Sequence, residues 1–384
     1  MNGLLNKLRD IDLPLISSYL MLVFCGLFIQ LDITSACGDL HFFIKQFLIT
    51  LASITFCLII YLYWQIKWFK WTFWIFYILT LFLLIYVLYH GVEVLGAIRV
   101  IIVHFLGMKF SVQPSLLARL VLVLLFALII SKREHFIEKT GFLSFLYRFA
   151  PLFIYTGIYF FLILKEKHLS AVLTSGFTLI SLLFLANIYK YTIILLIVCI
   201  VILGYGVIKF QKGGEFRKDR IDSWIASSLI IRSFTGQKST EGIHSNNIES
   251  LICLSTGKLL GVTPNGGMGK LRYLPEPRTD FVFAIITEEF GLIGAAFVIF
   301  LFMVLVVKGI NISSRQDDIF LKLIGYGFSL NIFYNFIIHI GAVTASIPTT
   351  GVTLPFISHG GSSMIVNSMA VGVLLILGKT RVKK

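Results

Sequence analysis

The sequence has 384 residues, of which 57% are hydrophobic and only 14% are charged, and its mean hydropathy is +0.91. A soluble domain of this length cannot bury so much apolar surface, so the composition excludes a soluble globular protein. The net charge of +14 does not indicate nucleic-acid binding, because lysine and arginine concentrate in the cytoplasmic loops of membrane proteins. We therefore predict an all-α, polytopic membrane protein.

Apolar runs of about 20 residues recur along the chain, and each is long enough to cross a hydrocarbon core about 30 Å thick. The first run lacks a small-residue cleavage site, so we expect it to remain as an anchor and not to be removed as a signal peptide. The ten predicted transmembrane helices lie at about 13–31, 42–63, 71–89, 114–131, 145–164, 168–187, 191–210, 280–308, 319–343 and 360–379.

The distribution of cations predicts the orientation of these helices. The positive-inside rule places the most basic connections in the cytoplasm, and this assignment alternates consistently through all ten spans with both termini inside. Residues 211–279 then form one large extracytoplasmic loop between helices 7 and 8, and a loop of this length is usually either functional or disordered. We interpret residues 1–384 as a single transmembrane domain. The cytoplasmic cations are Lys7, Arg9, Lys67, Lys70, Lys132, Arg133, Lys139, Lys190, Lys308, Arg315, Lys379, Arg381, Lys383 and Lys384.

The segment before the fourth span carries cations on the side where the positive-inside bias disfavours them. Arg99 and Arg119 lie near the predicted outer surface. They either extend toward lipid headgroups or form a cationic wall for an anionic lipid head. In the second case Gln113, Pro114 and Ser115 would begin a helix whose N-terminus faces that head, because helix N-termini favour phosphate.

The connection between the last two spans, Ile347–Ser363, contains two prolines and three glycines at the membrane boundary. Irregular backbone persists at that depth only where protein or a water-filled cavity surrounds it. The segment is either an ordinary turn or the lining of a re-entrant cavity, and its length and hydroxyl content favour the cavity.

A cluster of acids marks the start of the eighth span. Pro277 favours a helix that begins near residues 277–280, which places Asp280 at a helix N-terminus beside Arg278. Asp280 is either a helix cap or a general base whose basicity partial burial would increase. Glu288 and Glu289 lie about 12–13 Å deeper, and we favour a structural role for at least one of them.

These segments, in this order, resemble the SEDS family (shape, elongation, division and sporulation), the peptidoglycan glycosyltransferases of the FtsW, RodA and SpoVE type. The resemblance covers essentially the whole chain. The matching blocks are Gly96-Ala97-x-Arg99, Gln113-Pro114-Ser115, Tyr273-Leu274-Pro275-Glu276, Thr279-Asp280-Phe281, Glu288-Glu289-x-Gly291, Pro348-x-x-Gly351, Leu354-Pro355-Phe356-Ile357-Ser358 and Gly360-Gly361-Ser362-Ser363.

The resemblance implies that the substrate is lipid II, a disaccharide-pentapeptide on undecaprenyl pyrophosphate, at the outer face of the bacterial cytoplasmic membrane. The implied reaction joins disaccharides into glycan strands for cell division or cell shape, with Asp280 as the general base. The resemblance predicts no metal-ligand set and leaves a divalent cation open as a cofactor. The implied substrate-binding residues are Arg99, Gln113, Ser115, Arg119, Lys270, Glu276, Arg278, Thr279, Ser358, Ser362 and Ser363.

The implied partners are a class B penicillin-binding protein, which crosslinks the strands, and other membrane proteins of the division or elongation machinery. The sequence does not separate the division branch from the elongation branch. Three other functions stay open: a lipid II flippase or transporter, a non-catalytic scaffold, and another polyprenyl-linked sugar transferase such as an O-antigen ligase. The ionisable and irregular segments cluster on the outer side, which favours chemistry there over a path through both leaflets.

Several residues depart from the family pattern, and these departures predict a divergent member. Leu116 and His168 stand where the family has acids, and Arg119 stands where it has lysine. The lost acids remove ligands for a cation, so we expect the accessory pocket to differ more than the base. The other departures are Val100, His339 and His359, where the family has Trp, often Asn, and Tyr.

Overall fold

The computed structural model shows a mostly helical protein. It describes residues 11–94, 97–105, 108–133, 142–188, 191, 194, 246–264, 266–274 and 276–379. Seven helices within these residues are long and apolar enough to cross a membrane, so the chain is a multi-pass membrane protein. The helices are α1 (Leu13–Cys37), α2 (Leu40–Tyr63), α3 (Ile66–His90), α4 (Pro114–Lys132), α5 (Phe142–Arg148), α6 (Ala150–Lys165), α7 (Leu169–Leu185), α8 (Asn246–Gly257), α9 (Val282–Ser314), α10 (Ile319–Val343) and α11 (Gly361–Lys379).

Nine of the ten predicted spans correspond to helices of the structure. The fifth is divided into α5 and α6 at Phe149, because Pro151 occupies the first turn of α6 and cannot continue a preceding helix. The predicted span 191–210 lies almost entirely outside the described residues. The count of ten therefore stays a prediction.

The connection between α3 and α4 forms a small antiparallel sheet, which corrects the all-α prediction. Its strands are β1 (Val92–Val94), β2 (Ala97–Phe105) and β3 (Met108–Val112), in the order β1-β2-β3. Ile101 pairs with Val112 in its register. A β-strand is favoured over a helix here because β2 is rich in β-branched residues, which suit a pleated surface.

The end of the predicted outer loop does not stay at the surface. After α8 the chain follows α9 inward as far as Gly291, where the backbone of α9 leaves the helical conformation with φ of 65°. The freed amides of Leu292 and Ile293 donate to the carbonyls of Lys258 and Leu259 at 2.9 and 3.3 Å. Gly291 lies nine residues after Val282, the first residue of α9, which corresponds to about 14 Å along the helix axis. Residues 246–274 thus form a hairpin that enters the helical bundle to that depth.

Candidate functional site

One cavity, of about 70 Å³, lies where the sheet meets the starts of α4 and α11. Four of the predicted substrate-binding residues line it, namely Gln113, Arg119, Ser362 and Ser363. Besides Arg119, three further departures from the family pattern line it, namely Val100, Leu116 and His168. The full lining is Val100, Ser111, Gln113, Leu116, Arg119, His168, Gly351, Val352, Thr353, Gly360, Gly361, Ser362 and Ser363.

Serine hydroxyls connect the three segments that form this lining. The Gln113 amide donates to Ser362 Oγ at 2.9 Å, and Ser362 Oγ donates to the Ser111 carbonyl at 2.9 Å. Thr353 Oγ1 donates to Ser363 Oγ at 2.8 Å. These bonds join β3, the start of α4 and the start of α11. The segment Ile347–Ser363 was predicted to line a cavity, and seven of its residues do so in the structure: Gly351, Val352, Thr353, Gly360, Gly361, Ser362 and Ser363.

Arg119 lies within the bundle and does not extend to the lipid headgroups. Its side chain is buried, and Nη1 donates to Asn335 Oδ1 on α10. Asn335 is held in turn by Asn331, whose carbonyl accepts from Asn335 Nδ2 at 2.7 Å. Within the part of the chain that the structure describes, Arg119 Nε has no hydrogen-bond partner and no carboxylate forms an ion pair with the guanidinium. A buried cation in this state favours an anion in the cavity.

Asp280 lies beside the cavity in the turn that precedes α9. The N-cap of α9 is Phe281, so Asp280 lies one residue before the cap of this helix. A Cβ built on Gly351, which lines the cavity, would lie 3.5 Å from Asp280 Oδ2. Burial lowers the pKa of Arg99 on β2, and the charge of Asp280 partly offsets this effect. Asp280 and Arg99 therefore interact at the edge of the same cavity.

The turn that carries Asp280 is stabilised by its neighbours in sequence. The amides of Thr279 and Asp280 both donate to the Glu276 carbonyl at 3.2 Å. Thr279 Oγ1 also donates to Glu276 Oε2 at 3.2 Å. Glu276 adopts the left-handed region with φ of 50°, which allows this tight reversal. Glu276 and Thr279 thus shape the turn and are exposed or half-buried on its outer side.

Ser358 attaches the connection between α10 and α11 to that turn. Its hydroxyl donates to the Thr279 carbonyl at 2.6 Å and accepts from the Leu354 amide at 2.8 Å. Both capacities of a buried hydroxyl are therefore used inside the protein. This arrangement gives Ser358 a structural contact with the turn, while its predicted contact with substrate stays a prediction.

Arg278 precedes Asp280 by two residues and is not among the residues that line the cavity. Its guanidinium lies 4.3 Å from the ring centre of Phe42 on α2, and a cation over an aromatic face is attracted to it. The carbonyl of Arg278 accepts from Gln30 Nε2 at 3.0 Å and from the His359 backbone amide at 2.8 Å. These contacts fix the backbone that precedes Asp280.

Lys270 is not among the residues that line the cavity. It is only 1% exposed, and its ammonium bonds to Asp32 Oδ2 on α1 and Glu289 Oε1 on α9. Burial alone would lower the pKa of Lys270, but the two carboxylates outweigh this effect and raise it. Glu288 accepts from the Met268 amide at 2.9 Å. The two glutamates thus hold the hairpin to α9, in line with the structural role that we favoured.

The turn between α6 and α7 brings His168 to the cavity and carries a second buried titratable residue, Glu166. Lys167 adopts φ of 58°, and on either side of it Glu166 and His168 are buried. His168 Nδ1 lies 2.9 Å from Ser115 Oγ and 3.1 Å from Gln113 Nε2. Ser115 does not itself line the cavity, but it is hydrogen-bonded to His168, which does. Sequence reasoning noted His168 only as a lost acid, and nothing in the local pattern singled out Glu166.

The environment of this turn disfavours charge on both titratable groups. Burial, and then the nearby charges of Arg119 and Arg99, hold the pKa of His168 well below its ordinary value. Burial raises the pKa of Glu166 to about 8, and the Ser115 hydroxyl opposes this rise. Among the described residues, neither Glu166 carboxylate oxygen has a hydrogen-bond partner of normal geometry. A neutral imidazole and a neutral carboxyl are therefore favoured at neutral pH.

This raised pKa predicts how stability depends on pH. A buried carboxyl with a folded-state pKa of about 8 binds its proton more tightly than in the unfolded chain, so stability falls as pH rises from about 5 toward 8. We expect Glu166→Gln to raise the melting temperature relative to wild type, with a gain that grows over this range. Thermal unfolding in detergent at pH 5, 6.5 and 8 measures it. An exposed control, Glu93→Gln, should show no such trend, and equal behaviour of the two variants would contradict the prediction.

The cavity lining does not fit a divalent cation. Magnesium and calcium take carboxylate and carbonyl oxygens, whereas this lining provides an arginine, a histidine and hydroxyls, with no carboxylate among its described members. No group of three or more His, Cys, Asp and Glu residues is placed to hold a metal within the described residues.

The fold and site define a class: a multi-pass membrane protein with a cationic cavity at one end of its bundle and a carboxylate at the cavity edge. The family model described as "Cell cycle protein", which covers FtsW, RodA and SpoVE, matches residues 12–383. The chain therefore belongs to the FtsW/RodA/SpoVE family.

Curated relatives agree with this family. The probable peptidoglycan glycosyltransferase FtsW of Geobacter metallireducens is 30% identical over 275 residues, which are 71% of this chain and 68% of that protein. The corresponding FtsW of Coxiella burnetii is 32% identical over 270 residues, 69% of this chain and 68% of its own. Stage V sporulation protein E of Bacillus subtilis is 45% identical over 128 residues, 33% of this chain and 35% of that protein.

Solved structures show the same fold. One chain from a peptidoglycan synthase complex that coordinates polymerization and crosslinking matches with a TM-score of 0.74 at 19% identity, over 97% of this chain and 99% of that chain. The rod shape determining protein RodA of Thermus thermophilus matches with a TM-score of 0.66 at 19% identity, over 97% of both chains.

Proposed function

We propose that this chain is a peptidoglycan glycosyltransferase that polymerises lipid II at the outer face of the cytoplasmic membrane. The observation that carries the proposal is the position of Asp280 and Arg99 at the edge of a cavity that contains the buried guanidinium of Arg119. Relatives that are named peptidoglycan glycosyltransferases support it.

The chemistry follows from these charges. Asp280 removes the proton from the 4-hydroxyl of the acceptor's terminal sugar as that oxygen attacks C1 of the donor disaccharide. The new glycosidic bond forms as the bond between C1 and the phosphate oxygen breaks, and undecaprenyl pyrophosphate leaves. Arg119 and Arg99 stabilise the negative charge of the leaving pyrophosphate. Arg278 lies on the outer side of the turn, where it meets the polar part of the substrate.

The membrane arrangement of the proposal follows from charge. Both termini lie in the cytoplasm, and the sheet, the cavity and the turn with Asp280 lie at the outer surface. The chain works with a class B penicillin-binding protein that crosslinks the new strands. The structural likeness to a chain of a peptidoglycan synthase complex supports such a partner.

Reconstitution tests the proposal. We would place the purified chain and the class B penicillin-binding protein of the same bacterium in vesicles with lipid II in the outer leaflet. Glycan strands that form only when both the chain and lipid II are present are the expected result. Protein-dependent transfer of lipid II between leaflets without strands would instead make the chain a flippase. If neither strands nor transfer of lipid II is observed while the complex stays intact, the chain is a scaffold.

A further inference from the structure

His168 replaces an acid of the family pattern, and its surroundings determine which of its nitrogens carries the proton. Nδ1 has two neighbours, Ser115 Oγ at 2.9 Å and Gln113 Nε2 at 3.1 Å. An amide nitrogen can only donate, so Nδ1 must accept, and it shares its single lone pair between the Gln113 amide and the Ser115 hydroxyl. A neutral ring with an accepting Nδ1 carries its proton on Nε2.

Neighbouring elements keep this ring neutral. Arg119 on α4 and Arg99 on β2 disfavour a second proton, and the buried position disfavours charge of either sign. Glu166 is fully buried and lies close enough to Ser115 for that hydroxyl to lower its pKa. A protonated Glu166 carboxyl can donate to Ser115 Oγ, and this leaves the Ser115 proton directed at His168 Nδ1.

We propose that His168 is a substrate-positioning residue whose Nε2–H donates to a phosphoryl oxygen of a polyprenyl pyrophosphate in the cavity, with Ser115 and Glu166 fixing its tautomer. This inference rests on the proposed function, because it assigns the pyrophosphate to this cavity. An acid at the same position would repel the phosphate unless a cation bridged the two. A neutral histidine contacts the phosphate directly and needs no bridging ion.

Binding of undecaprenyl pyrophosphate to the complex with the penicillin-binding protein tests the proposal without turnover. His168→Asn retains a polar atom near Nδ1 but removes the Nε2 donor, whereas His168→Gln can retain a donor near the Nε2 position. We expect Asn to weaken binding by roughly tenfold and Gln by clearly less, as for the loss of one hydrogen bond to a charged group. Equal affinities for wild type and His168→Asn, with intact melting behaviour, would overturn the proposal.

A spectroscopic measurement follows the tautomer directly. In protein with ¹⁵N-labelled histidine, the resonance that disappears in His168→Gln belongs to His168, and we expect it to report a proton on Nε2. A proton on Nδ1 would overturn the proposal. Neither measurement uses polymerisation. If the chain proves not to polymerise lipid II, the binding and tautomer results for His168 still stand, and if these results fail, the proposed reaction is not thereby excluded.

The role of Glu166 has its own readout. Above pH 8 an ionised Glu166 draws the Ser115 proton away from His168, so we expect wild-type affinity for undecaprenyl pyrophosphate to fall between pH 7 and 9. In Glu166→Gln the amide stays neutral, and this fall should disappear. A change in affinity that came from Arg99 or Arg119 would occur in both proteins. The same pH dependence in both proteins would remove Glu166 from the arrangement.

Discussion

Replacement of Asp280 by asparagine is expected to reduce glycan-strand formation by about 10²–10⁴-fold, the range of a lost general base. The amide has nearly the same shape but cannot take a proton from the attacking hydroxyl. The turn held by Glu276 and Ser358 uses backbone groups of residues 279 and 280, so its fold should persist. The measurement is the initial rate of strand synthesis from lipid II by the reconstituted complex.

A matched control separates chemistry from general loss of charge. Asp39 is exposed between α1 and α2, and its side chain makes no capping hydrogen bond to α2. Asp39→Asn should polymerise at the wild-type rate. Asp280→Asn should retain its melting temperature and its affinity for undecaprenyl pyrophosphate, because the phosphate contacts come from other residues. Strand synthesis by Asp280→Asn at the wild-type rate would refute the base assignment.

The second large effect concerns stability. Lys270→Met leaves the carboxylates of Asp32 and Glu289 buried without their cation. Breaking a buried ion pair by removing one partner costs about 3–5 kcal/mol, so we expect a large loss of folded protein. The hairpin of residues 246–274 would lose its attachment to α1 and α9. The melting temperature and the yield of monodisperse protein in detergent measure this loss.

The outcome also decides between two roles of this lysine. Lys258→Met, an exposed change in the same hairpin, should leave the melting temperature near the wild-type value. Adding Asp32→Asn and Glu289→Gln to Lys270→Met should recover part of the stability, because the uncompensated charges are then removed. If Lys270→Met is as stable as wild type but raises KM for lipid II, the lysine binds substrate, as the family resemblance implied.

The outer segment between α3 and α4 illustrates one limit of the sequence reasoning. Its apolar residues are too few for a span, so the pattern predicted only a loop with two cations. The β-branched run of β2 forms a sheet because β3 lies beside it and supplies the hydrogen bonds. That pairing depends on a turn geometry that the hydropathy pattern does not report.

The candidate site shows a second limit. The family resemblance implied Gln113, Arg119, Ser362 and Ser363 as substrate-binding residues, and the cavity brings these four together. The resemblance also implied Lys270 as a cation for the pyrophosphate, yet its side chain extends toward α1. The sequence locates a residue on an element, whereas the direction of its side chain depends on which element packs opposite.

The sequence by itself determined the membrane class and the positions of nine helical segments, and it predicted Asp280 as the base. These properties are local, since a span needs only a sufficient apolar length and Asp280 needs only a position before α9. Only the tertiary structure decided that Glu166 and His168 meet Ser115 and Gln113. About fifty residues separate the two pairs in the chain, and their contact exists because α4 packs against α7 and the turn between α6 and α7 directs both side chains inward.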